Sequence, residues 1–165
     1  MQTNMTVIPA RGPLSSPPSR SGPSAPATEN DVSGTQSENC DRILIVEDDL
    51  LIASQMEVAL TEAGFTIAGA ASTANEALQL AHSQSPTLVV IDIRLAGDRD
   101  GIDTALELFR SHGVRCLFAS AYSDQEAQRR AAPAAPLGWL QKPYTMASLV
   151  AKVRAAVSEL RSRTD

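Results

Sequence analysis

From residue 41 onward, short uninterrupted apolar runs alternate with segments whose apolar positions recur every three or four residues. The run ILIV at 43–46 is branched and has no polar face, the pattern of a strand buried on both sides. A helix is predicted over 50–63, with Leu51, Met56, Leu60 and Ala63 at helical spacing and Gly64 stopping it as a C′ glycine does. A second strand covers 65–71. Ser72 or Thr73 starts the next helix, which runs to about Ser83; Thr73 followed three residues later by Glu76 fits a capping box. The run TLVVID at 87–92 is a third buried strand. After a loop, a helix spans 102–111, a fourth strand 115–120 and a short polar helix 123–131. Pro133 and Pro136 interrupt the chain. A fifth strand occupies 138–141, and Thr145 caps a last helix ending near Arg161. Five strands alternating with five helices predict an α/β domain, a doubly wound parallel sheet with helices on both faces.

Residues 1–40 break this pattern. They hold six of the ten prolines, with Ser, Gly, Thr and Asn filling most of the rest. Such a segment cannot bury enough apolar surface to offset the entropy of ordering, so it is expected to be a disordered tail. The tail is read as dispensable; a docking segment, or a start codon upstream of the true one, are the alternatives. The domain itself is expected over 41–163.

Charge and cysteines narrow the class. With 14 Lys and Arg against 19 Asp and Glu, the net charge is −5, which argues against a nucleic-acid footprint. Cys40 and Cys116 make neither a disulfide framework nor a metal-binding spacing, as expected of reduced thiols. No run approaches the roughly 18 apolar residues of a membrane span, and the N-terminus lacks the order of a secretory signal. A cytoplasmic chain with no membrane partner is expected.

The chemistry gathers at strand ends. In open parallel sheets, ligands bind beyond the carboxyl ends of the strands. Here the first strand runs into Glu47, Asp48 and Asp49, the third ends at Asp92, the fourth at Ser120, and the fifth runs into Lys142. Converging carboxylates repel one another unless a cation neutralises them, and a hard divalent ion, Mg²⁺ or Mn²⁺, does so with oxygen ligands. An Asp carboxylate can then be the nucleophile that accepts a phosphoryl group, while the metal and a Lys spread the charge on its oxygens.

The motifs LIVEDD, VVIDIRL, FASA and GWLQKPY resemble those of bacterial response-regulator receiver domains, in the same order and at similar separations. From Asp48 to Asp92 is 44 residues, from Asp92 to Ser120 is 28, and from Ser120 to Lys142 is 22. The resemblance implies a flavodoxin-like sheet of strand order 2-1-3-4-5. It implies that Asp92 is the phosphoacceptor, that Glu47 and Asp48 hold Mg²⁺ with Asp92, and that Arg94 offers its backbone carbonyl to the metal. Ser120 takes the switch hydroxyl position, Lys142 contacts the phosphoryl group, and Trp139 occupies the aromatic switch position. The Lys142-Pro143 bond is expected to be cis. CLFASAY together with DIRLAGDRDGID is also similar to the FAT-GUY group of single-domain receivers, with Ser120 where that group has Thr, Ala121 where Gly is usual, and Arg115 where it has Pro-Phe nearby.

The implied partners are a sensor histidine kinase or a histidine phosphotransfer protein, and a downstream protein bound through the fourth helix, fifth strand and fifth helix. The chain ends just after the last helix, so output by protein contact or phosphoryl relay is expected. The alternative is a phosphorylation-independent adaptor or dimerisation module of the same fold. An aspartyl-nucleophile phosphatase would carry a second acid two residues after the nucleophile, where Arg94 stands; Arg cannot act as a general acid at neutral pH. Arg94 and Tyr122, each two residues past a site residue, are expected to shield an acyl phosphate from water, and Tyr122 is counted with the switch residues.

Other residues read as structural. Asp49 is the expected N-cap of the first helix. Asp98, Asp100 and Asp103 lack the ligand pattern of a calcium loop and read as a solvated loop and helix start. His82 and His112 are assigned no function. Only Lys142 and Lys152 are lysines among the 14 basic residues, which marks Lys142 as a place for a compact charge.

Overall fold

A computed structural model describes residues 40–121 and 125–163. The N-terminal tail, up to residue 39, and Tyr122 lie outside the described residues, as does the expected start of the fourth helix at Ser123. The elements alternate as the apolar pattern requires: β1 (Arg42–Val46), α1 (Leu50–Glu62), β2 (Thr66–Ala71), α2 (Ala74–Gln84), β3 (Leu88–Asp92), α3 (Gly101–His112), β4 (Cys116–Ser120), α4 (Gln125–Ala131), β5 (Gly138–Gln141) and α5 (Met146–Ser162). A 3₁₀ turn, Ala132–Ala134, joins α4 to β5. The strands form one parallel sheet in the order β2-β1-β3-β4-β5. This is the flavodoxin-like order.

Successive side chains on a strand point to opposite faces, and the core divides accordingly. Leu44, Val46, Val89, Ile91, Cys116 and Phe118 pack under Ala77 and Ala81 of α2, Ile102, Ala105 and Leu108 of α3, and Ala131 of α4. Ile43, Ile45, Leu88, Val90, Leu117 and Ala119 pack under Ala53, Met56 and Leu60 of α1 and Leu149, Val153, Ala156 and Val157 of α5. All five residues of the central strand β3 and of its neighbour β4 are buried, so these two strands fix the depth of whatever sits at their ends.

Element ends differ from the pattern by a residue or two, each for a local reason. Phe65 belongs to the turn closing α1, its N–H donating to the Leu60 carbonyl, so β2 starts at Thr66. α3 starts at Gly101 because Asp100 caps it, accepting from the Asp103 N–H at 2.9 Å. Thr73 does cap α2, accepting from the Glu76 N–H at 3.3 Å. The expected box is not closed on Thr73, however: the Glu76 carboxylate takes the N–H and hydroxyl of Ser72, at 2.8 and 2.9 Å.

Candidate functional site

The C-terminal ends of β1, β3, β4 and β5 lie side by side, because parallel strands in register finish at one edge. Register sets Asp92 opposite Ala119, one residue before Ser120, and Ser120 opposite Gln141, one before Lys142. The Lys142 N–H donates to the Ser120 carbonyl at 2.9 Å, and the Glu47 N–H to the Ala71 carbonyl at 2.9 Å. Each ladder therefore extends one residue past its strand and holds a polar side chain at a fixed height.

Those side chains converge. Carboxylate oxygens of Glu47, Asp48 and Asp92 all lie within 4.8 Å of one another. Glu47 and Asp92 are buried and Asp48 is exposed, so the group is open on one side. Lys142 closes it: its ammonium donates to Glu47 Oε2 at 3.0 Å and to Asp92 Oδ2 at 2.5 Å. The bond between Lys142 and Pro143 is cis. Glu47 Oε1 accepts from the Asp49 N–H at 3.2 Å, and Asp92 Oδ1 from the Arg94 N–H at 3.1 Å. Asp49 stands apart from the cluster as the N-cap of α1, accepting from the Leu51 and Ile52 N–H groups at 2.9 and 3.2 Å.

Burial raises the Glu47 carboxyl above its ordinary value, and the bonds from Lys142 and the Asp49 N–H only partly offset that. Burial acts the other way on the Lys142 ammonium, but hydrogen bonds and charge from Asp92 and Glu47 outweigh it and raise its pKa. The two shifts have different causes: Glu47 is raised by burial, and Lys142 is raised by its two carboxylate partners. Oxygen ligands of an octahedral Mg²⁺ stand at roughly 2.0–2.1 Å, hence about 4 Å apart at most. The three carboxylates already meet that spacing to within an ångström, and the all-oxygen donor set is that of a hard divalent cation.

The other expected site residues fall nearby. Ser120 is buried and lines a hollow with Ile93, Arg94, Ile102, Glu126 and Arg130. The Arg94 backbone lies against Asp92 through its N–H, while its side chain is exposed. Trp139 stacks on Phe118, ring centroids 4.6 Å apart and planes 18° from parallel.

The response regulator receiver domain model matches residues 43–154. The chain belongs to the response-regulator receiver family. The receiver is similar to the transcriptional regulatory protein PdtaR of Mycobacterium tuberculosis, 34% identical over 123 residues, covering 74% of this chain and 60% of PdtaR. It is similar to the phyllosphere-induced regulator PhyR of Methylorubrum extorquens, 36% identical over 84 residues, or 50% of this chain and 32% of PhyR. The receiver thus spans less than two thirds of either relative's length. Among solved structures, the CheY-like receiver domain protein of Methanospirillum hungatei superimposes with a TM-score of 0.68 at 25% identity, over 74% of this chain and 98% of that one.

Some arrangements lie beyond what single residues disclose. Asp98 and Asp103 are solvent-exposed, as a solvated loop requires, but Asp100 and Asp103 also meet Arg130 of α4, at 2.7 and 3.4 Å. The rings of His82 and His112 stand 6.1 Å apart beside a surface hollow between α2 and α3. Among the described residues, no helix is long and apolar enough to cross a membrane.

Proposed function

We propose that this receiver is a stand-alone response regulator that accepts a phosphoryl group on Asp92 and signals by protein contact. The observation that carries the reading is the meeting of Glu47, Asp48 and Asp92 at one sheet edge, with Lys142 bonded to two of them. The donor is a sensor histidine kinase or a histidine phosphotransfer protein. A carboxylate oxygen of Asp92 attacks phosphorus in line, the P–N bond to the donor histidine breaks, and its electron pair returns to the imidazole. Glu47, Asp48, Asp92 and the Arg94 backbone carbonyl would hold Mg²⁺ or Mn²⁺, which would neutralise charge on the phosphoryl oxygens. The Lys142 ammonium, already at the acceptor oxygen, donates to the incoming group, and the Ser120 hydroxyl takes a second phosphoryl oxygen.

Output follows from a two-state shift. Drawing Ser120 and Lys142 toward the phosphoryl group moves the ends of β4 and β5, and with them the face made by α4, β5 and α5. Trp139 lies on that face and rests on Phe118, so its ring reports the shift. The test is titration with Mg²⁺ and then beryllofluoride, read by fluorescence of Trp139, the only tryptophan. A saturable, Mg²⁺-dependent response that Asp92→Asn abolishes is expected. A wild-type protein without that response overturns the reading in favour of a phosphorylation-independent adaptor.

A further inference from the structure

Gly101 opens α3, nine residues past Asp92, and packs directly on the phosphoacceptor's own backbone. A Cβ at this position would stand 1.9 Å from the Asp92 carbonyl oxygen, 2.8 Å from its carbonyl carbon and 2.9 Å from the Ile93 Cα. All three are backbone atoms, so no side-chain rotation relieves the contact. The Gly101 N–H also donates to the Ile93 carbonyl at 2.7 Å, which holds the loop shut at this point. Glycine is required here by space, since Gly101 lies within a helix and its φ is not one that L side chains avoid.

Resting on the proposed phosphoacceptor role of Asp92, we infer that Gly101 is a positioning residue: its missing side chain lets the N-terminus of α3 clamp the Asp92–Ile93 peptide and so aim the Asp92 carboxylate. α3 cannot easily withdraw. Ile102, Thr104, Ala105 and Leu108 are fully buried, and the Asp100 carbonyl accepts from the Thr104 hydroxyl at 2.8 Å. The Asp92 end of β3 is the part that must yield. Bringing the Cβ to even a 3.0 Å contact takes a displacement of about 1.1 Å. That movement turns the peptide from which the Asp92 side chain departs and breaks the alignment of the Arg94 N–H with Asp92 Oδ1. A misplacement of about 1 Å can slow a positioned reaction by about 10²-fold.

The test compares Gly101→Ala with Leu108→Ala, a buried substitution on the same helix away from Asp92. Affinity for Mg²⁺ alone and the rate of phosphorylation by acetyl phosphate are measured beside thermal stability, with wild type and Asp92→Asn in parallel. Gly101→Ala is expected to slow phosphorylation by about 10²-fold and to weaken Mg²⁺ binding. Leu108→Ala should stay within about threefold of wild type while losing stability, because the clamp is intact. A folded Gly101→Ala protein that phosphorylates at the wild-type rate overturns the inference. Should Gly101→Ala not fold, the clamp is loosened from the other side: Asp100→Ala removes the α3 cap and should slow phosphorylation, while Asp100→Asn, which still caps, should restore it. Equal rates for these two and wild type also overturn it. Wild type that takes no phosphoryl group defeats the phosphoacceptor reading itself, a result separate from either outcome.

Discussion

Removing the Lys142 ammonium should make the protein less stable without metal and bind Mg²⁺ more tightly. Lys142→Ala leaves Glu47 and Asp92, whose side chains are 3% and 9% exposed, without the ammonium they share. Breaking a buried ion pair by deleting one partner costs about 3–5 kcal/mol. The Lys142 side chain is 23% exposed, so water reaches the carboxylates it abandons and the loss should be nearer half of that, about 1.5–2.5 kcal/mol. For a domain of this size that lowers the melting temperature by about 5–10 °C. The same deletion removes a positive charge from a cation site, and a tenfold tighter Mg²⁺ affinity returns about 1.4 kcal/mol at saturating metal.

Urea unfolding of wild type and variant, each in EDTA and in excess MgCl₂, separates the two effects. The gap between the proteins should be widest in EDTA and should narrow with Mg²⁺, and isothermal titration should give the variant the smaller Kd. Equal stability in EDTA would show that Lys142 does not neutralise the cluster. An unchanged Mg²⁺ affinity would show that the ammonium and the metal do not compete for the same carboxylates. Either result refutes the reasoning from the 3.0 and 2.5 Å contacts.

Three further outcomes are expected. Burial raises the Glu47 pKa, so its charge subtracts stability from the folded protein above that raised value and the penalty fades as pH falls toward 4.5; Mg²⁺ affinity, which needs the ionised carboxylate, falls over the same window. Glu47→Gln should flatten both pH dependences, as urea midpoints and Mg²⁺ titrations across the acid range would show. Burial pushes the Cys116 thiol up to about 12 while Cys40 is exposed, so Ellman's reagent should titrate one thiol in the native protein and two in denaturant. Trp139→Ala loses a stacked pair worth about 0.5–1.5 kcal/mol beyond its area and should blunt any phosphorylation-dependent partner binding; a variant retaining full partner binding and phosphorylation response removes Trp139 from the switch.

What was legible in the chain was whatever a short window contains. The ILIV and TLVVID runs disclose buried strands because burial on both faces leaves no polar position. Asp49 discloses itself as a cap because a cap needs only its own next turn. The strand-end acids were legible because strands that lie parallel finish together, so Glu47, Asp48 and Asp92 could be placed at one edge before any distance was known. Lys142 was placed at that edge as well, but the direct side-chain bonds between distant segments were not legible. Lys142 lies 95 residues from Glu47, Arg130 lies 30 from Asp100, and nothing in a DG dipeptide says that its glycine rests on a carbonyl nine residues back. The Glu76 carboxylate missed its expected partner for a smaller reason: Ser72 offers it both an N–H and a hydroxyl, while the Thr73 hydroxyl is already engaged with the Glu76 N–H.

The acidic run at the end of β1 raises the question of what tolerates three adjacent carboxylates. A shared metal was the expected reason, with the metal-free site strained by repulsion. The geometry divides the burden differently. Asp49 is spent on helix N–H groups, Asp48 is solvated, and the two buried anions, Glu47 and Asp92, share one ammonium. Lys142 thus relieves much of the repulsion without metal, and the fold does not depend on a cation to close its own site. On the proposed reading, Mg²⁺ affinity would be a difference: the attraction of three carboxylates less the repulsion of a lysine already among them. On that reading, such a site would bind metal weakly and reversibly. The same lysine stands at an Asp92 oxygen, so if Asp92 accepts the phosphoryl group as proposed, the charge that holds metal affinity down is already in place for it.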